Sequence, residues 1–257
     1  MTAQPTSISE RFRLDGKRAL VTGAGRGIGL GAARAFAEMG AEVTLVARSA
    51  DEIEAAADEI RQSGGKADTL AVDVMDLDRI LPAIAERQPY QILFNNAGIN
   101  RTNTFVDVKI EDFDYIFGLN VRAAFFVAQA VARKLVAAGE KGSIINVSSQ
   151  MGHVGAATRS VYCASKWAME GMTRAMAIDL APQGIRVNTI CPTFVETKLA
   201  NNYLGNPEFR TYVESKIKLG RVGQVDDLIG AIVLLASDAS SLMTGSSIVI
   251  DGGWTAD

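Results

Sequence analysis

The sequence predicts a doubly wound α/β domain, a mostly seven-stranded parallel sheet with helices on both faces. Two observations carry this. Short apolar strand patterns alternate with helical patterns of ten or more residues along the whole chain, as βαβ units require. Strands such as Ile144-Ile145-Asn146-Val147 are apolar on both sides, as a sheet covered on both faces demands. A length of 257 residues suits one large domain, and no linker, repeat or low-complexity segment divides it.

The elements read in order as follows. Residues 1–15 form a tail, leaving 16–257 as a single domain. Arg18–Thr22 is a short apolar strand. A glycine-rich turn follows, then a helix through Met39 with Gly40 as its stop. Glu42–Ala47 is the second strand, Ala50–Ser63 a polar helix ended by Gly64-Gly65, and Lys66–Val72 the third strand. Asp76–Arg87 is a helix with Asp76 placed as its N-cap. Tyr90–Phe94 is a fourth strand closing into Asn95-Asn96-Ala97-Gly98. A long helical region runs from about Asp112 to Ala138, where Asn120 interrupts the apolar pattern. Ser143–Ser148 is the fifth strand, and the helix carrying Tyr162 continues to about Leu180. Arg186–Ile190 is the sixth strand. The irregular, partly helical stretch Val195–Leu219 reads as a mobile lid, spanning about 193–220. Val225–Ala236 is a helix and Ser247–Ile250 the last strand.

Composition narrows the function. A net charge of −3 with scattered cations gives no footprint for nucleic acid. No run approaches the roughly 18 apolar residues of a membrane span, and the opening residues lack a signal-peptide core. A cytoplasmic protein is expected. Cys163 and Cys191 form no metal-type or redox pair and read as buried small side chains. One histidine, His153, leaves no basis for a multi-histidine metal site and argues against a Ser-His-Asp hydrolase.

Gly23, Gly25, Gly27 and Gly29 lie between the first strand and the first helix, with Arg26 and Ile28 among them. Such a turn tolerates positive φ and lets backbone approach a pyrophosphate without Cβ atoms. The helix start offers free N–H groups and a positive dipole end. The spacing is G-x-x-x-G-x-G, and it predicts dinucleotide binding. The second strand ends Val46-Ala47-Arg48-Ser49, with no acid until Asp51. An acid at this point binds a ribose 2′-hydroxyl, whereas an arginine suits a 2′-phosphate. Arg48 and Arg26 therefore predict NADP over NAD, with NAD still open.

Tyr162 and Lys166 stand at i and i+4 of a helix, on one face. A free tyrosine has a pKa near ~10, and lowering it by about 3 units takes roughly 4 kcal/mol. One positive charge at ~4 Å supplies about that at an effective dielectric of ~20. The pair is a candidate acid–base catalyst.

In these residues the chain resembles the short-chain dehydrogenase/reductase family along nearly its whole length. The resemblance rests on Thr22-Gly23-Ala24-Gly25-Arg26-Gly27-Ile28-Gly29, Asp73, Asn95-Asn96-Ala97-Gly98, Asn120, Ser148-Ser149, Tyr162-x-x-x-Lys166 and Asp251-Gly252-Gly253 in this order and spacing. It implies a single Rossmann-type domain that binds a nicotinamide dinucleotide. It implies Tyr162 as proton donor and acceptor, with Lys166 lowering its pKa and holding the nicotinamide ribose. Ser149 would hydrogen-bond the substrate oxygen, and Asn120 would complete a water relay to Lys166. Asp73 and Val74 would meet the adenine. Asn95, with Asn96, Ala97 and Gly98, would line the cofactor, and Pro192, Thr193, Val195 and Thr197 would lie near the nicotinamide. The family often has Pro-Gly where this chain has Pro192-Thr193, so Thr193 alters the expected shape of the substrate pocket. Leu219–Ala236 and Ser246–Trp254 resemble the family's tetramer-forming helix and strand, implying a homotetramer.

For the substrate, Arg101 and Asn103 follow the fourth strand at the ligand-binding end of the sheet, and Arg101 is a candidate for a carboxylate. His153, four residues after Ser149, is a further candidate. The short Asn-Asn-Ala-Gly-Ile stretch with its following arginine is similar to sugar-acid dehydrogenases of the family. The resulting expectation is hydride transfer between NAD(P) and a small polar carbonyl or alcohol, a sugar acid or polyol. A 3-oxoacyl-carrier-protein reductase is the alternative within enzymes, with Lys198, Arg210, Lys216 and Lys218 as a docking patch. A dinucleotide sensor without turnover is the alternative of another class.

Overall fold

The computed structural model describes residues 7–256, apart from the side chains of residues 198, 199 and 202; the first six residues of the expected tail lie outside it. Seven strands form one parallel sheet: β1 (Arg18–Thr22), β2 (Glu42–Ala47), β3 (Lys66–Ala71), β4 (Ile92–Asn95), β5 (Gly142–Val147), β6 (Ile185–Pro192) and β7 (Ser247–Ile250). Their order is β3-β2-β1-β4-β5-β6-β7. The chain winds outward to β3, then returns to place β4 on the other side of β1. This reversal leaves a crevice at the carboxyl ends of β1 and β4, where ligands of such sheets bind.

The helices are α1 (Ile8–Phe12), α2 (Gly27–Glu38), α3 (Ala50–Gln62), α4 (Leu77–Glu86), α5 (Ile110–Phe117), α6 (Ala124–Ala138), α7 (Ser160–Leu180), α8 (Lys198–Leu204), α9 (Pro207–Lys216) and α10 (Asp226–Ala236). One face of the sheet is covered by α2, α3 and α10, through Phe36, Ile53, Ile232 and Leu235. The other is covered by α4, α6 and α7, through Ile80, Val127, Val131 and Ala177. Full burial of one such aliphatic or aromatic side chain contributes about 1.5–3 kcal/mol. The strands are therefore apolar on both sides because both sides are interior.

A π-helical turn, Gly118–Ala123, joins α5 to α6 where Asn120 breaks the apolar pattern. The helical run 110–138 is long and apolar enough to cross a membrane by length and composition. Here Val127, Val131 and Leu135 pack it against the sheet, so it is a core helix of the domain.

The expected tail is corrected, and three other elements gain detail. Residues 7–14 are not tail: Ser7 and Glu10 form a capping box on α1, and Leu14 is fully buried. Asp76 occupies the N-cap position of α4, yet its side chain makes no capping bond. The helical part of the stretch after β6 is α8 and α9, which enclose their own cluster of Leu204, Val213, Ile217 and Val222. Asn206 caps α9 and Pro207 opens it, a start signal that the polar composition obscured. Finally, the apolar run of α10 is mostly absorbed by its own protomer. Leu228, Ile232, Val233 and Leu235 are buried, and α10 packs closely on α2, where Gly31 faces Val225.

Candidate active site

The glycine turn and the ends of β1, β2 and β4 border a cleft of about 610 Å³. Gly23, Gly25, Arg26, Gly27 and Ile28 form one wall. Arg48 with Asp73 and Val74 forms the far end, and Asn96, Ala97 and Gly98 the floor, with Thr197 above. Gly23 and Gly27 have φ of 64° and 58°. A Cβ on Gly29 would stand 2.3 Å from the Gly23 carbonyl oxygen, so Gly29 packs the turn rather than facing the cleft. The α2 N-terminus has no capping side chain and no acid in its first turn. A bare turn with uncapped N–H groups at a helix start fits a dinucleotide pyrophosphate.

The two arginines expected at the ribose both line this cleft. Arg48 stands 4.0 Å from Asp73, and Arg26 stands 3.8 Å from Glu52. Neither distance is a hydrogen bond, so both guanidinium groups keep donors for a ligand phosphate.

A buried polar chain fixes the strand ends. The Thr22 hydroxyl accepts from the N–H groups of Asn96 (3.0 Å) and Ala97 (3.1 Å). Asn96 Nδ2 donates to the carbonyls of Thr22 and Gly23. Asn95 Nδ2 donates to Asn146 Oδ1 (3.1 Å) and to the Ala124 carbonyl (2.8 Å), and Asn146 Nδ2 to Thr173 Oγ1 (2.9 Å). Asn95 is thus a buried brace beneath the cleft, not part of its lining.

A second chamber of about 200 Å³ opens beside the cleft. Ser149, Tyr162, Lys166, Pro192, Thr193 and Val195 line it. Lys166 is buried, and its Nζ donates to the Val147 carbonyl at 2.8 Å. Burial lowers its pKa to about 8. Tyr162 is pushed up to about 12, first by burial, with the neighbouring Ser149 hydroxyl and the charge of Arg159 opposing. The expected lowering by Lys166 is therefore not what this structure shows. The ammonium lies 5.5 Å from the phenol ring centre, and the low-polarity surroundings disfavour charge on both groups.

Asn120 is fully buried. Its Nδ2 donates to the Ile99 carbonyl (2.9 Å) and to Ser165 Oγ (3.1 Å), while Oδ1 accepts from the Ile99 N–H (2.8 Å). Ser165 in turn donates to the Tyr162 carbonyl at 2.7 Å. Asn120 thereby clamps the loop after β4 to α7, with one lone pair of Oδ1 left for a water.

Three expected substrate residues point elsewhere. Arg101 pairs with Asp112 at 2.6 Å and stacks over Tyr115. Asn103 Nδ2 also donates to Asp112, at 3.0 Å. His153 Nε2 sits 3.3 Å from Cys191 Sγ and 3.9 Å from Glu170, behind the chamber. In their place the chamber brings in Gln150, Arg159, Phe194 and Tyr203. Arg159 was open to detection: it lies three residues before Tyr162, one helical turn upstream on the same face. Gln150 carried no signal, because only the fold shows that its amide is buried without partners.

The pattern of the family described as enoyl-(acyl carrier protein) reductase matches residues 23–255. L-xylulose reductase of Bos taurus is 38% identical over 245 residues, covering 95% of this chain and 99% of that protein. The crystal structure of a short-chain type dehydrogenase/reductase from Mycobacterium marinum is 41% identical with a TM-score of 0.93, covering 98% and 100%. That of a gluconate 5-dehydrogenase from Burkholderia cenocepacia J2315, in complex with NADP and tartrate, is 37% identical with a TM-score of 0.94, covering 98% and 100%.

The buried ammonium yields a stability test. With its folded pKa at about 8 instead of 10.5, Lys166 binds fewer protons in the folded than in the unfolded chain between those values. Its contribution to stability therefore rises with pH from about 8 to 10.5 and is unfavourable below. Lys166→Met is expected to stabilise the cofactor-free protein by about 3 kcal/mol at pH 7. The advantage should shrink as pH climbs toward 10.5. Urea unfolding of both proteins at pH 7 and 9.5 measures it, and equal stability at pH 7 would contradict it.

Proposed function

This chain belongs to the short-chain dehydrogenase/reductase family, and we propose that within it the protein is an NADP-preferring oxidoreductase acting on a sugar acid or polyol. One observation carries the reading: Ser149, Tyr162 and Lys166 converge on a small chamber that opens beside a bare-turned dinucleotide cleft.

The cleft residues Gly23, Gly27, Arg26 and Arg48 would hold the dinucleotide, whose nicotinamide supplies or accepts the hydride. Ser149 and Tyr162 donate hydrogen bonds to the substrate oxygen and stabilise the negative charge that develops there. With its pKa pushed up to about 12, Tyr162 keeps its proton through the neutral range. That is the state carbonyl reduction needs, since the phenol must give the oxygen its proton. Lys166 keeps a positive charge beside Tyr162 and, with Asn120 and a water on its free lone pair, forms the path by which the phenol is reprotonated. The small chamber and the polar groups on its wall suit a short hydroxylated chain.

The related gluconate 5-dehydrogenase was crystallised with NADP, and the loosely paired Arg48 and Arg26 suit a 2′-phosphate. Of the cations named for an acyl-carrier docking patch, Arg210 is already held by Glu196 (2.8 Å) and Glu214 (3.4 Å), which weighs against that alternative. A pure sensor would have no use for the assembled Ser149, Tyr162 and Lys166. A homotetramer is part of the proposal. The outer edge of β7 pairs with no strand among the described residues, and Val249 on it is exposed. Trp254 belongs instead to the protomer, stacked on Phe194 at 5.9 Å.

Tyr162→Phe is expected to lower turnover at least tenfold while leaving NADP affinity nearly unchanged, measured by steady-state rates and cofactor titration. A variant that keeps its rate would remove Tyr162 from the chemistry. Ala47→Asp with Arg48→Ile is expected to move kcat/KM toward NAD by placing a carboxylate at the ribose; a wild type already preferring NAD tenfold would overturn the NADP assignment. Light scattering behind a sizing column should give a mass about four times the 27.4 kDa of one chain, and a clean monomer peak would refute assembly.

A further inference from the structure

We propose that Arg159 is the anchor for a substrate carboxylate, so that the chamber selects a hydroxy or keto acid over the neutral polyol of the same chain length. The inference rests on the carbonyl/alcohol reading of the site given above.

The charge pattern of the chamber is one-signed. Its walls carry two cations, Lys166 and Arg159, and no aspartate or glutamate. Lys166 is spent on the Val147 carbonyl and on the chemistry. Arg159 is not spent. Its Nη1 donates to the Ala157 carbonyl at 3.1 Å, and its guanidinium lies over the rings of Phe194 and Phe209 at 5.9 and 5.5 Å. Among the described residues it pairs with no carboxylate. Arg101, on the loop that leads to this one, is by contrast held 2.6 Å from Asp112. A half-buried guanidinium with unused donors, beside aromatic rings and facing a chamber without acids, is matched by a ligand carboxylate. The planar fork fits that group bidentately. Arg159 and Tyr162 line the same chamber, close enough that the guanidinium charge favours the ionised phenol.

The position of Arg159 is also built, not incidental. The residue before it, Thr158, has φ of 60°, a left-handed conformation that a β-branched side chain rarely adopts. Such strain persists where the surroundings impose it. Here the Asn103 N–H donates to the Thr158 carbonyl at 3.0 Å, and Asn103 and Arg101 are both tied to Asp112. The two residues that the sequence offered for the substrate thus brace the loop that delivers Arg159. Further along the wall, Gln150 is buried with both amide atoms unpaired, and Thr193 Oγ1 is buried and unpaired. These supply donors and acceptors for the hydroxyls of the same ligand.

The test uses matched substrates that differ at one terminus: gluconate against glucitol, and threonate against threitol, each with NADP. Tartrate, a small dicarboxylate, is titrated calorimetrically into the protein with and without NADP. Wild type is expected to favour the acid of at least one pair. Arg159→Gln is expected to reduce kcat/KM for that acid about 10- to 100-fold, mainly through KM, and to weaken tartrate binding by a similar factor. Arg159→Lys should recover part of both, which a purely structural role would not produce. Preference for the neutral member in wild type would overturn the proposal while leaving the oxidoreductase reading intact. So would an equal loss on both members in Arg159→Gln, which would assign Arg159 to packing against Phe194 and Phe209. If neither pair is turned over, the sugar-acid or polyol reading falls, and tartrate decides on Arg159 alone. Binding lost in Arg159→Gln and kept in Arg159→Lys would uphold the anchor; binding unchanged in both would remove it.

Discussion

The site depends on a line of buried hydroxyl and amide side chains running across the sheet. Thr22, Asn95, Asn146 and Thr173 lie on β1, β4, β5 and α7, and each is joined to the next by side-chain hydrogen bonds. All four are buried. An unpaired polar group at such depth costs about 1–3 kcal/mol, so the chain is stable only when every member is in register. That requirement holds the ends of three strands and the helix of Tyr162 at fixed relative positions. The glycine turn above Thr22 and the Tyr162 face of α7 inherit this rigidity.

Much of this was legible in the sequence because it is local. Alternating patterns gave the strand and helix order, the glycines the turn, and the i,i+4 spacing the Tyr162–Lys166 pair. What escaped depends on distance in space. The direction of the Tyr162 shift could not be read from spacing, because burial outweighs a nearby charge and burial belongs to the fold. Arg101 looked available until Asp112, eleven residues on, was brought to it. The spacing of Arg159 from Tyr162 was local, but nothing local showed that Phe194 and Phe209 would come to its guanidinium. The stretch after β6 reads as polar because its apolar residues face a small private cluster.

Behind the chamber the electrostatics change sign. Burial works to raise the pKa of Glu170, but hydrogen bonds from Ser247, Cys191 and Thr189 outweigh it and keep the carboxyl below its usual value. Cys191 beside it is pushed up to about 12 by burial, so its thiol stays protonated and inert. The carboxylate in turn favours the charged form of Lys166. The ammonium therefore has a distant anionic partner as well as its carbonyl, and the tyrosine chamber keeps its positive character.

The π-turn at Gly118–Ala123 gives the length of a helix a chemical meaning. An α-helix advances about 100° and 1.5 Å per residue. A π-turn accommodates one residue more than the α-helical path would. Without that residue, α5 would be rotated by roughly 100° against α6. The stacked rings of Phe113 and Phe117 would turn with it, and the Asn120 amide would leave the Ile99 backbone. The active site is thus encoded partly in a count of residues, and this helix has far more freedom in what it is made of than in how long it is.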